Sequence, residues 1–141
     1  MTAPPSIELL TPATPALLDE VRAIFREYAN SLDIDLCFQD FEAELASLPG
    51  EYTAPQGALL LATVDGEVAG CGALRPLPGC DYANACEMKR LYVRPAFRRF
   101  GLGRLLAQAL LDRGLQAGYS AMLLDTLDDM ETLFAGIDVG E

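Results

Sequence analysis

"CEMKRLYVRPAFRRFGLGRLLAQALL", residues 86 to 111, governs how the rest of the chain is read. Its first half belongs to a strand, "ACEMKRLYV" from Ala85 to Val93, which Arg94-Pro95 ends: the residue before a proline is held extended, and proline cannot donate to a sheet ladder. Its second half is a helix from Gly103 to about Gln116, with Leu105, Leu106, Ala109 and Leu110 on the buried face and Gly118 as the stop. A strand, a loop with two glycines and a helix start present unpaired backbone N–H groups at the positive end of a helix dipole, which suits a phosphate. Glycine at 101 and 103 lets a ligand approach the main chain, and Arg98, Arg99 and Arg104 add charge-assisted hydrogen bonds. The plainer alternative is a basic helix start with glycines in an ordinary turn.

That segment stands out because the chain is acidic. Its 141 residues carry a formal net charge of −11, yet Lys89, Arg90, Arg94, Arg98, Arg99 and Arg104 are six of its ten Lys and Arg. No Asp or Glu lies between Met88 and Leu111. Long-range repulsion opposes a nucleic-acid backbone or an anionic membrane as partner, so neither is expected. With 51% apolar residues, the length suits one domain, residues 1 to 141. No apolar run reaches the roughly 20 residues needed to span a bilayer.

Histidine is absent, which excludes a Ser-His-Asp triad, a Cys-His pair and any His-ligated metal; no metal is expected. Cys37, Cys71, Cys80 and Cys86 show no C-x-x-C spacing, and no secretory signal opens the chain, so a reducing cytoplasm is the expected compartment.

Outward from the central segment, Ser6 to Leu10 reads as a first strand. Thr14 caps a helix that has Pro15 at its first position and runs to about Leu32. Phe38, Phe41, Leu45 and Leu48 stripe a second helix, stopped by Pro49-Gly50. Ala58 to Val64 and Glu67 to Leu74 form a hairpin about Asp65-Gly66, and residues 76 to 83 form a loop. "SAMLLDT" is a fifth strand, and "DDMETLF" reads as the start of another helix. The order gives an α/β class with a mixed central sheet flanked by helices.

The dinucleotide fingerprint G-x-G-x-x-G fails at Leu106, and the G-x-x-x-x-G-K-[ST] phosphate loop is absent. The segment instead resembles the central motif of the GNAT superfamily of N-acetyltransferases. Its signature [QR]-x-x-G-x-[GA] is met by Arg98, Gly101 and Gly103 after a strand of the form L-x-V-x-P, and the likeness extends more weakly over residues 6 to 127. The resemblance implies a GNAT-like acyl-CoA N-acyltransferase fold with acetyl-CoA as cosubstrate. Arg98, Arg99, Phe100, Gly101, Leu102, Gly103 and Arg104 would cradle its pyrophosphate. Leu91, Tyr92 and Val93 would run beside the pantetheine arm, with the Leu91 N–H polarising the thioester carbonyl as an oxyanion donor.

Amine attack also needs a base, because an alkylammonium is mostly protonated at pH 7. Some members of the superfamily place a glutamate where this chain has Glu87, which makes it the candidate. On strand alternation it shares a face with Lys89 and Leu91, while Tyr92 points oppositely and packs. The alternative for Glu87 is a surface or salt-bridged carboxylate near Lys89.

The chain departs from the family at its C-terminus. Where a tyrosine protonates the departing thiolate, this chain has Ile137 or, allowing a missing turn, Phe134, and the last strands are lacking. That leaves a sheet edge for which a homodimer is one expected cover. The reaction implied is transfer to a primary amine of a small molecule or peptide by direct attack; the alternative is a catalytically impaired CoA-binding or interaction module. Acetyl transfer through Cys71 or Cys86 is a third route, without an evident base. The acidic surface suits a cationic amine such as a polyamine. Substrate identity is expected to lie mostly in residues 15 to 48 and in the loop after Arg75; Tyr28, Phe38 and Phe41 are pocket candidates there, although stripes at helical spacing more often form core.

Overall fold

Ala58–Val64 (β2) is buried at every position, as expected of a central strand covered on both faces. Leu59 and Leu61 pack with Val21, Ile24 and Phe25 on one side, while Ala58, Leu60, Ala62 and Val64 pack with Leu102, Leu106 and Leu110 on the other. The computed structural model describes residues 4–31, 41–78, 83–125 and 130–135. Around β2 runs a six-stranded sheet in sequence order: Ile7–Leu10 (β1), β2, Glu67–Pro76 (β3), Ala85–Val93 (β4), Ala121–Asp125 (β5) and Met130–Ala135 (β6). Neighbours are antiparallel except β4 and β5, which are parallel and joined through helix α3, Leu102–Gln116. Helices α1, Pro15–Ser31, and α2, Phe41–Ser47, cover the opposite face.

Local chemistry accounts for most boundaries. The Leu17 N–H donates to Thr14 Oγ1 at 3.2 Å, and Pro15 opens α1 where no N–H is needed. Asp65 and Gly66 take the positive φ values of a tight hairpin turn, 52° and 85°. Among the described residues no helix is long and apolar enough to cross a membrane.

Two expectations are corrected. The buried stripe of α3 is Leu102, Leu106, Leu110 and Gly114, and Leu105 is 43% exposed. The helix starts one residue early, and the four-residue repeat from Leu102 turns Leu105 outward. Of the segment read as a helix in "DDMETLF", Met130 to Phe134 instead lie in β6, antiparallel to β5 with Ala121 opposite Ala135. So short a segment is a poor helix nucleus, whereas the free edge of β5 supplies backbone partners. β6 therefore occupies the β5 edge that the sequence reading left open. Leu32, Cys37, Phe38, Cys80, Ile137 and the end of "SAMLLDT" lie outside the described residues.

Candidate active site

The site is built on the part of β4 that runs past its last described pair with β5. The parallel ladder runs from Ala85 opposite Ala121 to Met88 opposite Leu124, and β4 continues past it to Val93. Just beyond the last pair the strand bulges: Ala73 of β3 faces Lys89 and Cys71 faces Tyr92, leaving Gly72 opposite both Arg90 and Leu91. Arg90 adopts φ 59°, a conformation costly for a non-glycine residue, and it is held there by its side chain. Its guanidinium donates to Glu44 at 2.9 and 3.1 Å and lies 5.3 Å from the centre of the Phe41 ring.

The bulge changes which side chains share a face. Before it, Cys86 and Met88 pack toward α3; after it, Leu91 and Val93 do so. One extra residue reverses the alternation, so Leu91 lies opposite Glu87 and Tyr92 lies on the Glu87 side, the reverse of the sequence expectation. Tyr92 packs in the α1 cluster with its ring 5.8 Å from that of Tyr28, and its hydroxyl donates to Glu27 at 2.8 Å. Burial and that carboxylate raise its pKa. Arg94 donates to the same carboxylate at 3.1 Å and to the Val68 carbonyl at 2.8 Å, which ties the end of β4 to α1 and β3.

After β4 the chain winds through a 3-10 segment, Pro95–Phe100, and Gly101 then turns left-handed, φ 70° and ψ 24°, into α3. A Cβ on Gly101 would meet nothing within 4 Å, so the space above the helix start is open. The first helical hydrogen bond here runs from the Leu105 N–H to the Gly101 carbonyl, and no side chain caps the helix. The N–H groups of Leu102, Gly103 and Arg104 thus precede it at the positive end of the helix. Leu102 is fully buried and anchors the turn. Arg98 donates to the Val93 carbonyl at 3.0 Å, and Arg99 lies 4.7 Å from the centre of the Phe100 ring, so both brace the loop while remaining exposed; Arg104 is also exposed.

Glu87 is buried, and its partner is Arg75, directly opposite in the β3–β4 register, with Nε to Oε1 at 2.7 Å. Arg75 also reaches Glu51 at 2.9 Å. Beside them, on the α2 face, is a cavity of about 590 Å³ walled by Glu44, Ser47, Tyr52, Glu51, Arg75 and Lys89 among others. Burial, with Glu44 nearby, pushes the Tyr52 hydroxyl well above its usual range. The sequence reading missed Arg75, Glu51, Glu44 and Glu27, because their roles depend on register and on contacts between distant elements. The weak signal available was Arg75 at the end of a strand whose partner carries Glu87.

Cys71 and Cys86 are buried thiols. Burial pushes Cys86 up to about 12 and Cys71 further, which leaves neither as a ready nucleophile. Among the described residues no cluster of three or more Cys, Asp or Glu stands placed to hold a metal ion.

Residues 16–132 match the family model described as acetyltransferase (GNAT) family. The chain belongs to the GNAT acetyltransferase family. It is 39% identical over 133 residues to an uncharacterized N-acetyltransferase of Schizosaccharomyces pombe, covering 92% of this chain and 78% of that protein. Among solved structures, a GNAT family acetyltransferase from Brucella melitensis in complex with acetyl-CoA superposes with a TM-score of 0.70 at 20% identity, covering 94% of this chain and 90% of that one. An aminoglycoside N-acetyltransferase in complex with CoA superposes with a TM-score of 0.69 at 20% identity, covering 91% of this chain and 82% of the other.

Proposed function

We propose that this GNAT acetyltransferase uses acetyl-CoA to acetylate a primary amine of a small molecule or peptide by direct attack. The observation that carries the reading is the open helix start at Gly101, set one short 3-10 segment after a strand that runs on past its last described pair with β5. The Leu102, Gly103 and Arg104 N–H groups, with Arg98, Arg99 and Arg104 side chains around them, suit a pyrophosphate. Acetyl-CoA supplies the activated acetyl group as its thioester. Leu91, Tyr92 and Val93 offer main chain beyond the last β4–β5 pair, where an extended pantetheine arm finds hydrogen-bonding groups.

The Leu91 N–H donates to the thioester carbonyl oxygen, where charge develops as the amine nitrogen bonds to the acetyl carbon. Glu87 receives, through water, the proton the amine gives up, its carboxylate oriented by Arg75. The carbon–sulfur bond then breaks, and the thiolate takes a proton from solvent; a thiol with a pKa of about 8.5 leaves without strong acid assistance. That matters because Phe134, one of the two positions aligned with the family's tyrosine, lies on β6 and has no proton to donate.

The same lack favours a second reading, a CoA-binding module without turnover. Calorimetric titration with acetyl-CoA, followed by thiol release with primary amines in the same sample, separates the two. The unpaired buried thiols Cys71 and Cys86 are in keeping with a reducing, cytoplasmic setting. A homodimer is not needed to cover β5, whose outer edge β6 already occupies.

A further inference from the structure

The overall charge of −11 attracts cationic amines from a distance, but the cavity beside β4 is lined by both signs of charge. The strands contribute Arg75 and Lys89, and acidic Glu51 stands at its rim with 65% of its side chain exposed. Glu44 also lines it, but its carboxylate is engaged by Arg90. Lys89 is the first β4 residue past the last described pair with β5, and Leu91 follows two residues on, across the bulge at Arg90. An acceptor in the cavity is therefore within reach of the proposed thioester position. Two of the nearby carboxylates are already engaged, Glu44 by Arg90 and Glu87 by Arg75, so an acceptor that brings its own carboxylate finds in Arg75 a partner that a polyamine does not.

We infer that the cavity takes an amine that also carries a carboxylate, and that Arg75 is its specificity-determining residue. The inference rests on the acetyltransferase reading above and names its acceptor class. Arg75 keeps its Nε bond to Glu87 and exchanges its NH1 bond to Glu51 for the acceptor carboxylate. The exchange is easy because a pair with so exposed a partner is weak. The acceptor amine attacks the acetyl carbon, gives up its proton toward Glu87 and releases the thiol.

The test measures thiol release from acetyl-CoA with paired acceptors, L-amino acids and ω-amino carboxylates, each against its own carboxamide. Wild-type enzyme should prefer the carboxylates by at least about tenfold in kcat/KM, the worth of one charge-assisted hydrogen bond. Arg75→Gln should abolish the preference with acetyl-CoA affinity unchanged, and Arg75→Lys should restore part of it. Glu51→Gln removes the competing carboxylate and should lower KM for the carboxylates by about two- to fivefold without affecting the amides; a merely structural role would not improve binding. Equal or better turnover of the amides, or an unchanged or higher carboxylate KM in Glu51→Gln, overturns the inference while leaving the acetyltransferase reading intact. Acetyl-CoA binding without turnover of any amine overturns both.

Discussion

Glu44 in α2 holds the guanidinium of Arg90, the residue that creates the β4 bulge, through two hydrogen bonds across 46 positions of sequence. Arg90 is buried in a left-handed conformation, so the carboxylate neutralises a charge that has little access to water. Glu44→Ala is expected to lose about 3 kcal/mol of stability, as when one partner of a buried pair is removed, and Glu44→Gln distinctly less. Urea denaturation of the three proteins checks the order.

Gly103 separates stability from binding. A Cβ there meets only Val93, at 3.9 Å, an ordinary contact, and alanine is the better helix former by up to about 1 kcal/mol. Gly103→Ala should unfold at a higher temperature than wild type yet bind acetyl-CoA more weakly, because its methyl group enters the proposed cradle. A variant that gains stability and keeps full affinity would remove Gly103 from the cradle.

Glu87→Gln keeps the size of the side chain and an acceptor for Arg75. If Glu87 is the base, turnover at neutral pH should fall by about a hundredfold or more, with acetyl-CoA affinity changed little. Rates within a few-fold of wild type would assign the residue to the Arg75 ion pair alone.

The buried thiols give a pH dependence with a definite sign. Cys86 is shifted from 9.0 up to about 12 by burial, and Cys71 rises for the same reason. Above pH 9 the unfolded chain releases these protons while the native state retains them, so unfolding becomes favoured by up to about 1.4 kcal/mol per pH unit for each thiol. Their contribution is fully present below pH 9 and is lost between pH 9 and about 12 for Cys86. Cys71→Ala and Cys86→Ala should each flatten this alkaline loss. In the native wild type at pH 8, both should resist alkylation when followed by peptide mass spectrometry.

Whatever rests on local chemistry was legible in the sequence: the end of β4 at Val93, the Asp65-Gly66 turn, the Thr14 cap and the glycine entry to α3 each follow from a few adjacent residues. The bulge was not, because a two-against-one register is a property of paired strands, and it reversed the face assigned to Leu91 and Tyr92. The Arg75–Glu87 pair was hidden for the same reason. β6 was misread because its pairing with β5 outweighs the helical pattern of so short a segment. The glycine turn proposed as the phosphate cradle was therefore readable from spacing, whereas the cavity proposed for the acceptor required the assembled β3, β4 and α2 elements.

The most direct test of the central claim is calorimetric titration of wild type and Gly101→Glu with acetyl-CoA. The new side chain projects into open space, so the variant should fold, at the cost of a left-handed residue of about 1–2 kcal/mol. Its bulk and negative charge stand where the pyrophosphate is proposed to sit. The account predicts saturable binding to wild type and none to the folded variant; undiminished binding to Gly101→Glu, or none to wild type, would contradict it.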